Sequence, residues 1–206
     1  RAFWSVTMYD PASFFVATGY IDQPRLPWWD EIAWMVRSSR LTALRADAWL
    51  PGPVDFDEPD RTLAVNAALE TYKRLPNAST TAFLDGLADA TGSGRFAGGP
   101  VDDLWMTWDM LREMRRAGMA IGGHTVNHPV LANLTPEDQW QEIAGCAGRL
   151  EAELGEPMRY FSYPVGQRDS FNEQTRSCLQ RLGVRFAFSY YGGFRRFDQW
   201  DPLDVR

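Results

Sequence analysis

Short apolar runs alternate along this chain with longer segments whose apolar residues recur every three or four positions. Residues 3–8 and 12–18 are apolar, β-branched or aromatic, which predicts two buried strands, the second ending at Gly19. Residues 28–39 carry their apolar side chains at helical spacing, so we predict an amphipathic helix there. The pattern is typical of a sheet covered by helices.

The pattern weakens between residues 41 and 99. Proline and glycine interrupt it at residues 51–53, and two short helices are predicted at 60–75 and 80–91. Because composition does not change across this segment, we interpret 41–99 as a helical insertion within a single domain that spans residues 1–206.

Helix and strand then alternate from residue 107 to residue 189. Thr107 is a predicted N-cap for a helix that stops at Gly118, and Thr135 is the predicted cap of a long helix at 136–154 that ends before Gly155. Strands are predicted at 119–121, 160–163 and 185–189.

A last helix is predicted to begin with a capping box formed by Ser170 and Glu173 and to end near Gly183. Strands separated by helices pair in parallel, and no glycine-rich phosphate-binding fingerprint follows any strand. We therefore predict an α/β fold, a distorted or incomplete (β/α) barrel, in preference to an open doubly wound sheet.

Composition narrows the choice of partners. The net charge of −6 and the pI near 5.0 argue against nucleic acid or an anionic membrane, which are bound by clustered lysine and arginine. No apolar run approaches the length of about 18 residues of a transmembrane helix, and no signal peptide is visible, so localisation is not predicted. The two cysteines, Cys146 and Cys178, are interpreted as core thiols, with one disulfide as the alternative.

Both histidines of the chain lie within Gly122–Pro129, four residues apart at His124 and His128. Neutral imidazole is the commonest metal ligand, and chance rarely places the only two histidines so close together. The segment follows a predicted strand, where parallel α/β folds carry their active-site loops. The sequence therefore predicts a metal site here; the alternative is accidental proximity.

Several segments together resemble the polysaccharide deacetylases with a NodB-homology domain, also called carbohydrate esterase family four. The resemblance covers most of the chain, and its most specific part is the histidine segment, which fits the family's His-Ser/Thr-x-x-His metal motif. The other matching segments are residues 11–19, 28–30, 106–109, 161–166 and 200–202.

The resemblance implies a distorted (β/α) barrel that holds a divalent metal, commonly zinc, with two histidines and an aspartate. It implies removal of acetyl groups from an N- or O-acetylated sugar or polysaccharide: the metal polarises the acetyl carbonyl and a water, and a second aspartate takes the proton. His124 and His128 are thereby implied as metal ligands. The backbone N–H of Val165 is implied as an oxyanion donor, with an ordinary strand-ending turn as the alternative.

The first motif of the family is not intact in this chain. Matching its threonine to Thr7 puts Tyr9 at the position of the general base and Asp10 at that of the third metal ligand, and Pro11 follows directly. Two adjacent parallel strands need a crossover, and none separates them. Two explanations are open: either a segment is missing from the sequence near residues 8–11, which we favour, or the chain has lost both the motif and the helix that follows it. In either case the general base is not identified.

Other departures concern the substrate side of the site. Ser162 occupies the position of the family's arginine, so Arg168 is considered as a substitute, and without a third histidine no late Leu-x-x-x-His motif exists. Tyr163 and Trp200 are candidate sugar contacts. The competing hypothesis is a carbohydrate-binding pseudoenzyme, while zinc-peptidase chemistry is excluded because Thr125 stands where that motif needs glutamate.

Overall fold

Four of the apolar runs form one parallel sheet. The computed structural model describes residues 12–44, 49, 52–56, 61–99, 101–193 and 196–206; the strand predicted at 3–8 lies outside them. The strands are β1 (Ser13–Val16), β2 (Ala43–Leu44), β3 (Val54–Asp55), β4 (Ala120–Gly123), β5 (Tyr160–Ser162) and β6 (Phe186–Phe188). The helices are α1 (Thr18–Asp22), α2 (Trp28–Ser38), α3 (Thr62–Arg74), α4 (Asn77–Thr91), α5 (Trp108–Arg116), α6 (Pro136–Leu154) and α7 (Glu173–Arg181).

The parallel sheet has the order β1-β4-β5-β6. Every pairing is parallel, with Val16 beside Gly123 and Gly123 beside Phe161, so the carboxyl ends of β1, β4 and β5 meet at one edge. This confirms the α/β class and the parallel pairing predicted from the alternation of helix and strand. The edge is also where β4 delivers the first histidine.

The described chain divides into two compact units, one formed by the residues up to Gln23 together with Trp105–Arg206 and the other by Pro24–Leu104. The first contains the parallel sheet, and its core includes the fully buried Leu111, Ile143 and Phe161. Cys146 and Cys178 are buried free thiols, as predicted. The prediction of one domain over residues 1–206, with an insertion at 41–99, stays a prediction.

The second unit is mainly helical. Helices α2, α3 and α4 enclose an apolar core, and β2 and β3 form a short antiparallel pair that was not predicted. Arg61, which precedes α3, has a left-handed backbone and donates to the carbonyl oxygens of Val36 and Ser39 at 2.6 and 2.8 Å. Its side chain thereby ties the end of α2 to the start of α3.

Two local predictions were wrong. The second strand ends at Val16 instead of Gly19, because the backbone turns into α1. The capping box of α7 is formed by Asn172 and Thr175, not by Ser170 and Glu173. The hydroxyl of Ser170 donates to the Gln167 carbonyl instead, which leaves the Asn172 side chain to accept from the Thr175 N–H.

Helix α6 is the longest helix described, and its cap is a measurable part of its stability. The hydroxyl of Thr135 accepts a hydrogen bond from the Asp138 N–H at 3.2 Å. We expect Thr135→Ala to lower the free energy of unfolding by about 1 kcal/mol, because a helix N–H loses its acceptor. Urea denaturation measures this loss, and Thr135→Ser, which keeps the hydroxyl, is the control. An unchanged midpoint for the alanine variant would contradict the capping role.

No helix among the described residues combines the length and apolarity needed to cross a bilayer.

Candidate metal centre

His124 is the first residue after β4, and the sheet fixes its backbone and its ring. Its N–H donates to the Val16 carbonyl at 3.0 Å, and its Nδ1 lies 2.7 Å from the Ser162 carbonyl oxygen. A carbonyl only accepts, so Nδ1 carries the hydrogen and the lone pair is on Nε2. A backbone partner on one ring nitrogen is the usual means by which proteins orient a metal-binding histidine.

His128 lies close to His124 because the short loop between them reverses the direction of the chain. The ring centroids are 4.6 Å apart, with an angle of 69° between the planes. Burial lowers the pKa of both imidazoles, that of His128 to about 3, where the proximity of His124 adds to the effect. The rings are therefore neutral at physiological pH, which is the form that binds metal.

The loop between the histidines has an unusual backbone. Thr125 and His128 have φ angles of +68° and +58°, a left-handed conformation that is unfavourable for residues with a Cβ. The buried hydroxyl of Thr125 accepts from the His128 N–H at 2.9 Å and donates to the His124 carbonyl. One threonine thus links the backbones of both candidate ligands.

These two residues fit a divalent metal by their chemistry: both are neutral imidazoles, both come from one braced loop, and one has a fixed tautomer. Imidazole suits zinc and its neighbours in the first transition row. Within the described ranges no group of three histidine, cysteine, aspartate or glutamate side chains surrounds a common point. Asp10, the predicted third ligand, lies outside these ranges, as does the whole segment 8–11.

Val165 lies in the turn that follows β5. Its φ is +64° and that of Gly166 is +67°, and the Gly166 N–H donates to the Pro164 carbonyl at 2.7 Å. Among the residues that the structure describes, none accepts a hydrogen bond from the Val165 N–H. Its role as an oxyanion donor stays a prediction.

Three side chains were predicted to contact substrate, and the structure places them in different surroundings. Tyr163 is only 2% exposed, donates its hydroxyl hydrogen to the Leu203 carbonyl at 2.7 Å and stacks on Phe171. This corrects the prediction for its side chain, because the ring belongs to the core. Arg168 is exposed beside the Tyr191 ring, and Trp200 is 53% exposed. For these two residues, contact with substrate stays a prediction.

One residue that contacts the loop, Glu142, was not predicted from the sequence. Glu142, on α6, accepts hydrogen bonds from the backbone N–H groups of Val126 and Asn127. Periodicity gives no signal for it, since a polar residue on an amphipathic helix is expected to face solvent.

The comparison with protein families decides the assignment of the chain. The sequence model of the polysaccharide deacetylase family matches residues 55–187, more than half of the chain. The chain belongs to the polysaccharide deacetylase family. Membership confirms the resemblance that the sequence motifs indicated.

Individual members of the deacetylase family share less than 30% sequence identity with this chain in the three comparisons that follow. The Bacillus subtilis protein YxkH, assigned as a polysaccharide deacetylase, is 29% identical over 94 residues, 46% of this chain and 33% of YxkH. The solved deacetylase PplD of Streptococcus pyogenes is 23% identical with a TM-score of 0.44, over 59% of this chain and 47% of PplD. A family 4 carbohydrate esterase of Streptomyces lividans is 22% identical with a TM-score of 0.36, over 39% of this chain and 40% of the esterase. The chain therefore spans a third of YxkH and less than half of these two structures.

Proposed function

We propose that this family member is a metal-dependent deacetylase that removes acetyl groups from an N- or O-acetylated sugar or polysaccharide. The observation that carries the proposal is the pair of neutral imidazoles, His124 and His128, whose centroids lie 4.6 Å apart at the carboxyl edge of the parallel sheet. Family membership supports the acetylated carbohydrate as the substrate class.

In this proposal His124 and His128 hold a divalent metal, zinc by preference, with Asp10 as the third protein ligand. When bound, the metal supplies Lewis acidity for the acetyl carbonyl and for the attacking water. An amide or ester carbonyl gains negative charge on its oxygen during attack, so a backbone donor aimed at that oxygen lowers the barrier. The N–H of Val165 serves as this donor.

In this proposal the protein contributes orientation as well as ligands. The Ser162 carbonyl keeps the His124 proton on Nδ1, so that Nε2 is available without a change of tautomer. Arg168 and Trp200 are proposed to bind the sugar, the first by its charge and hydrogen bonds and the second by stacking on a ring face. Neither of these two sugar-binding roles requires a side chain from the loop between His124 and His128.

A metal-depletion experiment tests the proposal. The full chain is stripped with a chelator and then reloaded with zinc, and acetate release is measured on an N-acetylated chitooligosaccharide and on an O-acetylated xylan. We expect release by the zinc-loaded protein on at least one substrate and loss of release after stripping.

Two results would contradict the proposal. A zinc-loaded protein that binds the oligosaccharide without releasing acetate would overturn the proposal and favour the carbohydrate-binding alternative. Release that is unaffected by complete metal removal would overturn metal dependence.

A further inference from the structure

The carboxylate of Glu142 reaches from α6 to the loop that carries both histidines. Its Oε2 accepts from the Val126 N–H at 3.0 Å and from the Asn127 N–H at 2.8 Å, and its Oε1 accepts from the Asn127 side-chain amide at 2.7 Å. Hydrogen bonds to an ionised carboxylate are about twice as strong as those between neutral groups. One side chain therefore binds three donors of a two-residue segment.

The left-handed Thr125 explains why the loop presents these donors together. A left-handed residue turns successive N–H groups towards the same side and makes a concave site for an anion. Val126 and Asn127 follow Thr125 and point their N–H groups at one oxygen of Glu142. The carboxylate fills a site that the loop conformation itself creates.

The same two peptide groups are bound on their opposite sides by α1. The Thr125 carbonyl accepts from the Thr18 N–H at 3.2 Å, and the Val126 carbonyl accepts from the Gly19 N–H at 2.9 Å. The contact between Gly19 and the loop is tight: a Cβ added to Gly19 would lie 2.8 Å from the Val126 carbonyl oxygen, which is too close for any side chain. Both peptide planes between Thr125 and Asn127 are thus fixed at the carbonyl by α1 and at the N–H by Glu142.

We propose that Glu142 is a positioning residue for the metal centre. It holds the peptide planes between His124 and His128, and so sets the orientation in which the two imidazoles face a metal ion. The inference rests on the proposed function, because positioning has a consequence only if the histidines bind metal. Glu142 itself is not a ligand: its hydrogen bonds are directed at the backbone and amide of the loop.

Zinc affinity, measured by competition with a chromophoric chelator, tests the role. Glu142→Ala removes the acceptor, and we expect zinc to bind about 10- to 100-fold more weakly, the usual effect of losing an outer-shell partner. Glu142→Gln keeps an oxygen that can accept from the same two N–H groups, so we expect an affinity within a few-fold of the original. Glu151→Ala, which removes an exposed carboxylate from the same helix, is the matched control and should bind zinc normally.

Two further readouts separate positioning from general stability. The visible absorption of the cobalt-loaded protein reports ligand geometry, and we expect it to change in Glu142→Ala and to be restored in Glu142→Gln. Hydrogen exchange of the Val126 and Asn127 amides in the metal-free protein should become faster in Glu142→Ala and stay slow in the control. If Glu142→Ala does not fold, Glu142→Asp, whose carboxylate is one methylene shorter, is used and should show the same changes to a smaller degree.

The outcomes distinguish this inference from the proposed function. Original protein that binds no zinc or cobalt, with slow exchange at both amides, would overturn the proposed function. Original protein that binds zinc while Glu142→Ala has the same affinity and spectrum would overturn the positioning role alone. Equal losses of zinc affinity in Glu142→Ala and Glu142→Gln, with the exchange of both amides unchanged, would also overturn it, since the loss would then come from the negative charge and not from the hydrogen bonds to the loop.

Discussion

His128→Ala is expected to weaken zinc binding by more than about 100-fold and to abolish acetate release. The substitution removes one of the two proposed imidazole ligands, and a ligand contributes more than the outer-shell partners whose loss costs about 10- to 100-fold. Among the described residues, no group of three histidine, cysteine, aspartate or glutamate side chains could hold a metal ion. His124 alone therefore has no described partners that could replace His128. Isothermal titration with zinc gives the affinity, and acetate release is measured on the same samples.

The result is informative only if the variant remains folded. His128 is half-buried, and its ring lies beside that of His124 at the edge of the sheet. The far-ultraviolet spectrum and the urea midpoint should therefore stay close to those of the original chain. A folded His128→Ala with unchanged zinc affinity would show that the histidine pair is not the metal centre.

Phe161→Ala is expected to lower the free energy of unfolding of the sheet unit by about 3–5 kcal/mol. Phe161 is fully buried in β5, between its neighbours Gly123 in β4 and Ala187 in β6. Truncation leaves a cavity that the paired strands cannot close, so the loss exceeds that of transferring the ring alone. Urea denaturation monitored by far-ultraviolet circular dichroism measures the change.

Met110→Ala is the matched control for Phe161→Ala. Met110 lies in the same unit, on α5, and is 52% exposed, so we expect its truncation to change the free energy by less than about 0.5 kcal/mol. Similar losses for both variants would mean that the parallel sheet is not the stabilising core of the unit.

Sequence signals identified both ends of α6 correctly. The start of α6 at Thr135 and Pro136 and its end before Gly155 follow from a cap, a preset φ and a left-handed glycine, all within one helical turn of the boundary. The start of α7 was misplaced because Ser170 and Asn172 are both good caps. A hydrogen bond from Ser170 to Gln167 decides between them, and residue preferences do not encode it.

Long-range contacts explain what sequence analysis missed in the fold. The turn of the chain into α1 depends on the N–H groups of Thr18 and Gly19, which bind carbonyls of Thr125 and Val126 more than a hundred positions away. No periodicity in residues 12–22 reflects that partner. The same is true of Glu142, whose hydrogen bonds are made to a loop about 15 positions earlier in the chain.

The parts of the candidate site that are close together in the sequence were predicted, and the parts that depend on distant contacts were not. His124 and His128 lie four residues apart, so their spacing alone indicated a common site. Tyr163 was considered as a sugar contact, but it follows β5 with its ring buried in the core, where its hydroxyl donates to the Leu203 carbonyl. That partner lies 40 positions away in the chain, so the sequence around Tyr163 gives no signal for it.

The short separation of the two histidines also has a consequence for how the centre assembles. The entropy lost in bringing two chain positions together grows with the logarithm of the intervening length, so joining His124 to His128 costs little. The parallel pairing of β4 with β1 and β5, and the contacts of α1 and α6, have already restricted this loop before any ion arrives. The fold therefore brings the two candidate imidazoles together by itself, and binding an ion requires little further ordering of the loop that carries them.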